Sequence, residues 1–162
     1  MINEIYKELY EKIDSKSISP HWQIDKNKIE FGILTHGLPS NFFDNDFTII
    51  RDVSFEDFFE VLDPHNQTQI KLNLHDDEGN SELKFNEIIS YWTEERKLIP
   101  PIVVIYDEEY MKRLDIHSTT FNHLNILDGN HRLKMCYKLD SSEITLIALN
   151  WQVEKVLKLL KR

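Results

Sequence analysis

The chain has 162 residues, of which 41% are hydrophobic, enough to form the core of one compact domain. A single cysteine, Cys136, excludes an internal disulfide framework and a cysteine-rich zinc site. The net charge of −9 argues against a protein whose main task is to grip a nucleic-acid backbone.

The N-terminal third divides into a helix and a region with weaker patterns. Residues 2–13 carry apolar side chains at helical spacing and predict an amphipathic helix. Two strands are predicted at 29–34 and 47–50. We expect residues 1–52 to form an N-terminal extension or subdomain, and residues 53–162 to form the main domain.

No signal-peptide pattern opens the sequence, and no apolar run reaches the length of about 18 residues that would suggest a transmembrane helix. We therefore expect a soluble, cytoplasmic protein that does not act at a membrane.

The middle of the chain contains a clear helix start. Ser54-Phe55-Glu56-Asp57 has the form of a capping box, and apolar residues follow at i, i+3, i+4 and i+7. This pattern predicts a short helix that stops at Asp63-Pro64. The polar stretch from His65 to Gly79 is predicted to be a loop, and residues 81–96 are predicted to form a second helix.

The C-terminal half alternates between strand and helix patterns. The β-branched run at 102–106 is typical of a strand that is covered on both faces. The remaining predicted elements are a charged excursion at 107–120, strands at 121–127 and 144–149, a helix between these two strands and a basic terminal helix. The predicted fold class is α/β (α+β), with a small mixed sheet flanked by helices.

The junction at Asp128-Gly129-Asn130-His131-Arg132 is the strongest candidate for a functional site. An apolar strand meets a glycine and then a helix start, where free backbone N–H groups and the helix dipole attract an anion. Arg132 is unfavourable at a helix N-terminus unless an anion compensates its charge. Residues 128–162 carry a net +3, whereas the remainder carries −12. The junction therefore predicts binding of a phosphate-bearing ligand.

Each of these residues also has a purely structural explanation. Asp128 has the residue type of an N-cap or an Asx turn, and Gly129 suits a left-handed turn. His131 is also compatible with a partly buried histidine that holds the loop, and Cys136 with a small buried hydrophobe. The histidines of this region show no recognised ligand spacing, so no metal site is predicted.

The segment Leu-Asp-Gly-Asn-His-Arg-Leu at 127–133, together with the upstream Pro-Pro-Ile-Val-Val at 100–104, resembles the ParB/sulfiredoxin superfamily. The resemblance covers about residues 53–150. It implies a domain in which Gly129, Asn130, His131 and Arg132 hold the phosphates of a nucleotide (ATP, ADP or CTP), with Mg²⁺ as a possible companion. Residues 59–67 resemble the opening segment of the family, which implies that His65 and Asn66 also face the nucleotide.

The differences from the family narrow the implied activity. Sulfiredoxins have their catalytic cysteine between the glycine and the histidine, where this chain has Asn130, which excludes sulfinate repair. Chromosome-partitioning members have Gly-Glu-Arg-Arg in the loop, so a partition role is not expected either. The Asp-Gly-x-His-Arg form is most similar to free serine kinases and to small proteins called ParB-like nucleases.

The kinase resemblance implies that Asp128 acts on the acceptor hydroxyl or holds Mg²⁺, while His131 lies at the phosphates. Those kinases also use an acid in the proline-containing loop, where this chain has Asn66. Asp63, Asp76 or Glu78 would have to supply that carboxylate.

The predicted function is therefore nucleotide or phosphate binding. If the protein is also an enzyme, the predicted reaction is NTP hydrolysis or phosphoryl transfer. One alternative is a non-catalytic module that binds a basic protein partner through the acidic surface. Another is a DNA-binding or nuclease-like protein. The net charge disfavours that last alternative, although the terminal helix is basic.

Overall fold

The structure is a computed structural model that describes residues 19–29, 47–71, 90–92, 96–114 and 123–162. Several sequence predictions lie outside the described residues. They are the helix at 2–13, nearly all of the strand at 29–34, and most of the helix at 81–96, of which only residues 90–92 are described, as helical.

The centre of the fold is a sheet of four strands: β1 Phe47–Ser54, β2 Ile102–Val104, β3 Asn125–Asp128 and β4 Glu143–Leu149. Their order across the sheet is β1-β4-β2-β3. β1 pairs with β4 and β2 with β3 in antiparallel fashion, whereas β2 and β4 are parallel. The predicted α/β class with a mixed sheet is confirmed.

Besides the helical residues 90–92, the described part of the chain contains the helices α1 Phe55–Val61, α2 Pro64–Lys71, α3 Glu108–Leu114, α4 Asn130–Lys138 and α5 Val153–Leu159. Short 3₁₀ turns occur at Lys26–Lys28 and Asn150–Gln152. Across these ranges, no helix combines the length and apolar character that a membrane crossing requires.

Apolar side chains pack on both faces of the sheet. In β4, Leu146 and Ala148 belong to the core cluster that also includes residues of α1 and α4, whereas Ile147 and Leu149 belong to a second cluster. All three residues of β2 are buried, and they alternate between the same two clusters. The continuous apolar run at 102–104 is thus explained by a strand that is covered on both sides.

β1 is longer than the predicted strand and contains an irregularity. Its register against β4 shifts between Ile50 and Val53, and Asp52 there has a φ of 55°. Such a bulge bends an edge strand locally. Because β1 begins at Phe47, residues 47–52 are part of the sheet.

The helix predicted after Ser54 is confirmed as α1. The Ser54 hydroxyl accepts a hydrogen bond from the backbone N–H of Asp57, at 3.3 Å, as an N-cap does. Phe55 and Phe58 are buried, which explains the helical spacing of the apolar residues. The helix ends before Asp63-Pro64, as predicted.

The prediction of a loop from His65 onward was wrong over the residues of α2. Asp63 lies just before this helix, and its Oδ2 accepts from the backbone N–H of His65 at 3.0 Å and of Asn66 at 3.4 Å. Pro64 occupies the first helical position, where a missing N–H removes no hydrogen bond. The same Asp-Pro pair therefore ends one helix and starts the next.

The capping role of Asp63 has a measurable consequence. Replacing Asp63 with alanine should lower the free energy of unfolding by about 1–2 kcal/mol, because two first-turn N–H groups lose their acceptor. Urea denaturation measures this loss. Glu60→Ala, which removes an exposed carboxylate, is the matched control, and equal losses in both variants would contradict the cap.

The connection between α1 and α2 covers the outer edge of β3. The Leu124 N–H donates to the carbonyl of Val61 at 2.9 Å, and the Asp63 N–H donates to the carbonyl of Leu124 at 2.8 Å. The Asn66 Oδ1 accepts from the Ile126 N–H at 3.4 Å. These bonds satisfy backbone groups that an edge strand would otherwise expose, and they hold the start of α2 beside β3.

Candidate functional site

The predicted junction lies where β3 ends and α4 begins. Gly129 connects the two elements with a φ of +108°, a left-handed conformation that favours glycine. A Cβ at this position would lie 2.5 Å from the Cβ of Pro101, closer than packed carbon atoms can approach. The left-handed turn predicted for Gly129 is confirmed, and Pro101 is the residue that keeps the position small.

The N-terminus of α4 has no side-chain cap. Gly129 is the cap residue and offers no acceptor to the N–H groups of the first turn. The carboxylate of Asp128 does not take this role, because it bonds to a side chain instead. No capping side chain therefore offsets the partial positive charge at the N-terminus of this helix.

Arg132 folds back onto the loop. Its Nη2 lies 3.0 Å from Oδ2 of Asp128, four residues earlier, and its Nη1 donates to the carbonyl of Ile99 at 2.8 Å. The side chains of Arg132 and Asp128 are 16% and 28% exposed. The anion that compensates Arg132 is thus supplied by the chain itself. The position of Arg132 alone no longer indicates a bound phosphate.

Asn130 and His131 begin α4, and both are half-buried. The Oδ1 atom of Asn130 is buried and accepts no hydrogen bond from the described residues. The loop thus combines backbone donors, one partly exposed guanidinium and one partly exposed carboxylate.

The side chain of Asn66 forms its hydrogen bonds with Asp63 and with the start of β3. The Nδ2 of Asn66 donates to Asp63 at 3.2 Å and to Asn125 at 3.4 Å, and its Oδ1 holds the edge of β3. The neighbouring His65 is exposed. The contacts of Asn66 are therefore those of a residue that ties α2 to β3.

Tyr106 is a titratable residue that the sequence analysis missed. Its burial raises the pKa of the phenol, and the nearby carboxylate of Asp63 raises it further. Its ring contacts that of Tyr110, with the centroids 5.4 Å apart. No sequence motif joins Tyr106 to Asp63, because the two residues meet only through the pairing of β2, β3 and the α1–α2 connection.

Cys136 has the predicted structural role. Its side chain is fully buried, and burial raises the pKa of the thiol to about 12. The thiol therefore stays protonated at neutral pH and is a poor nucleophile.

Two surface cavities lie elsewhere on the domain, each with a volume of about 790 Å³. The first is bordered by α1 and by the turn between α4 and β4, and the second lies between the start of α3 and α5. Neither of these two cavities is lined by residues 128–132.

Searches against protein-family models, curated proteins and solved structures found no significant match. The resemblance to the ParB/sulfiredoxin superfamily therefore stays a prediction. In the part of the chain that the structure describes, no three His, Cys, Asp or Glu side chains are grouped as metal ligands would be.

Proposed function

We propose that the loop at 128–132 binds the phosphate group of a small ligand, with a nucleotide as the leading candidate. The observation that carries this proposal is the N-terminus of α4, which begins at a left-handed glycine without a side-chain cap. α4 has nine residues, so its peptide dipoles add to a partial positive charge at this end. Backbone N–H groups in that position are suited to an oxyanion.

Each loop residue has a role in this proposal. Gly129 leaves room for a close approach, since it places no side chain between the loop and the ligand. The backbone N–H groups of Asn130 and His131 donate to the phosphate oxygens. Arg132 has five N–H donors, of which its contacts with the described residues use two. In this proposal the remaining N–H groups donate to the phosphate while the pair with Asp128 stays in place.

For a loop that also catalyses phosphoryl transfer, the proposal assigns Asp128 as the general base for the acceptor hydroxyl. His131 then lies beside the phosphates. The residues present do not form a Mg²⁺ site by themselves. Asp128 is the one carboxylate in the loop, and its Oδ2 is paired with Arg132. A Mg²⁺ ion would therefore arrive with the nucleotide phosphates, which is how this cation is commonly bound.

Two substitutions in the ion pair should change the affinity in opposite directions. Arg132→Ala should weaken nucleotide binding by about tenfold or more, since a charge-assisted hydrogen bond to phosphate is lost. Asp128→Asn should strengthen binding by roughly threefold to tenfold, because it removes a negative charge beside the phosphate and releases the guanidinium. Isothermal titration calorimetry with ATP, ADP, CTP and inorganic phosphate, with and without Mg²⁺, measures both effects.

Arg51→Ala is the matched control, since Arg51 is an exposed cation on the opposite edge strand of the sheet. It should leave the affinity unchanged. Arg51→Ala should keep the parental melting temperature, and the melting temperatures of the two loop variants show whether each remains folded under the conditions of the titration. Wild-type protein that binds none of these ligands saturably, or Arg132→Ala with unchanged affinity, would reject the proposal.

A further inference from the structure

A second surface lies at the C-terminal end of α4, and its side chains favour a cation, whereas the loop at 128–132 favours an anion. We call it the ring groove, and it is the cavity of about 790 Å³ bordered by α1 and the turn after α4. Its lining includes three aromatic rings and three carboxylates, those of Phe55, Phe59, Tyr137, Glu56, Glu60 and Asp140. The volume lies in the range of ligand sites. The groove is open to solvent, so a side chain of a partner protein can enter it.

The rings of the groove form a stack. The centroids of Phe55 and Phe59 are 6.2 Å apart, and those of Phe59 and Tyr137 are 5.7 Å apart. The faces of aromatic rings attract cations. Two lysines of the chain already lie over this stack, with Lys71 Nζ 5.2 Å from the Phe59 centroid and Lys138 Nζ 5.5 Å from that of Tyr137. Neither lysine lines the groove.

The charges at the rim also favour a cation. Glu56, Glu60 and Asp140 are exposed, and none of them forms an ion pair with the described residues. α4 ends at Lys138, so the negative end of its dipole is directed toward the groove. The three carboxylates and the helix C-terminus thus act in the same direction, and they outnumber the two lysines that lie over the rings.

We propose that the ring groove binds an arginine-rich segment of a basic protein partner. The planar guanidinium group of arginine stacks on aromatic faces and bonds to carboxylates with two parallel hydrogen bonds. The net charge of −9 attracts a basic partner over longer distances. This inference is independent of the proposed phosphate site, since no residue of the loop at 128–132 lines the groove.

The direct test is fluorescence anisotropy with a labelled peptide of alternating arginine and serine. The triple variant Glu56→Gln, Glu60→Gln, Asp140→Asn should bind the peptide about tenfold more weakly, or worse, than the wild type. The matched control is Asp52→Asn, Glu108→Gln, Glu154→Gln, which removes the same total charge at exposed positions outside the groove. The control should lose less than about threefold, because screened charges at a distance contribute little.

The rings are tested separately from the charges. Phe59→Leu should weaken binding severalfold, whereas Tyr137→Phe, which keeps the ring, should leave it unchanged. A lysine–serine peptide should bind more weakly than the arginine peptide, because an ammonium group has neither the planar face nor the two parallel donors of a guanidinium. The melting temperature of each variant shows that it remains folded.

Three results would overturn the inference. The first is a wild-type protein that does not bind the arginine peptide saturably. The second is an equal loss in the control triple variant, which would mean general charge attraction. The third is free arginine amide binding as tightly as the peptide, which would make the occupant a small cation.

Discussion

Replacing Gln152 with leucine should lower the free energy of unfolding by about 2–3 kcal/mol. Gln152 is fully buried, and its side chain bonds to both backbone groups of Ile105. The Nε2 donates to the Ile105 carbonyl at 2.6 Å, and the Oε1 accepts from the Ile105 N–H at 3.0 Å. Leucine has a similar volume but leaves the buried N–H of Ile105 without an acceptor, whereas the Ile105 carbonyl keeps the bond from the Asp107 N–H at 2.8 Å.

Urea denaturation of the full chain measures this loss. Gln67→Leu is the matched control, since Gln67 forms one side-chain bond, from Nε2 to the carbonyl of Phe59 at 2.7 Å, in a half-buried position. This variant should lose about 1 kcal/mol of unfolding free energy. If the two variants lose the same stability, the paired bonds to Ile105 do not hold the end of β2 to the 3₁₀ turn.

Gly129→Ala is expected to have an effect of similar size, about 3–4 kcal/mol. Two separate penalties add at this position. A residue with a side chain is strained at a φ of +108°, and the new Cβ would lie 2.5 Å from the Pro101 Cβ and 2.8 Å from its Cα. The loop or the segment at Pro101 must then shift.

A double variant separates the two penalties. Pro101→Gly removes the closer of the two Pro101 contacts but leaves the backbone strain, so adding it to Gly129→Ala should recover part of the lost stability. Thermal and urea denaturation of the single and double variants complete the cycle. Strictly additive losses would show that the contact with Pro101 is not what excludes a side chain.

The two proposed sites lie at opposite ends of α4. Its N-terminus, at Asn130, presents N–H groups to an anion, and its C-terminus, at Lys138, presents carbonyl groups near the ring groove. A single helix dipole thus favours ligands of opposite charge at its two ends. The two sites are tested with different probes and different variants, so one can fail while the other stands.

Much of the local structure could be predicted from neighbouring residues. The β-branched run at 102–104, the cap at Ser54 and the left-handed turn at Gly129 each depend on local patterns. The pair between Asp128 and Arg132 could also have been predicted, because the two residues flank one short strand-to-helix turn, four positions apart. The sequence prediction instead gave the compensating negative charge to a ligand. The start of α2 was missed because Asp63-Pro64 was interpreted as a stop signal alone.

Local sequence patterns were sufficient for β2, β4, α1 and α4, because these elements depend on side chains a few positions apart, but not for α2 or α3. The strand order, the bond from Ile126 to Asn66, the two bonds between Gln152 and Ile105, and the contact of α1 with the end of α4 follow from the tertiary fold. Those contacts join residues far apart in the chain. They exist because packing both faces of one sheet brings their elements together, and no local pattern carries that information.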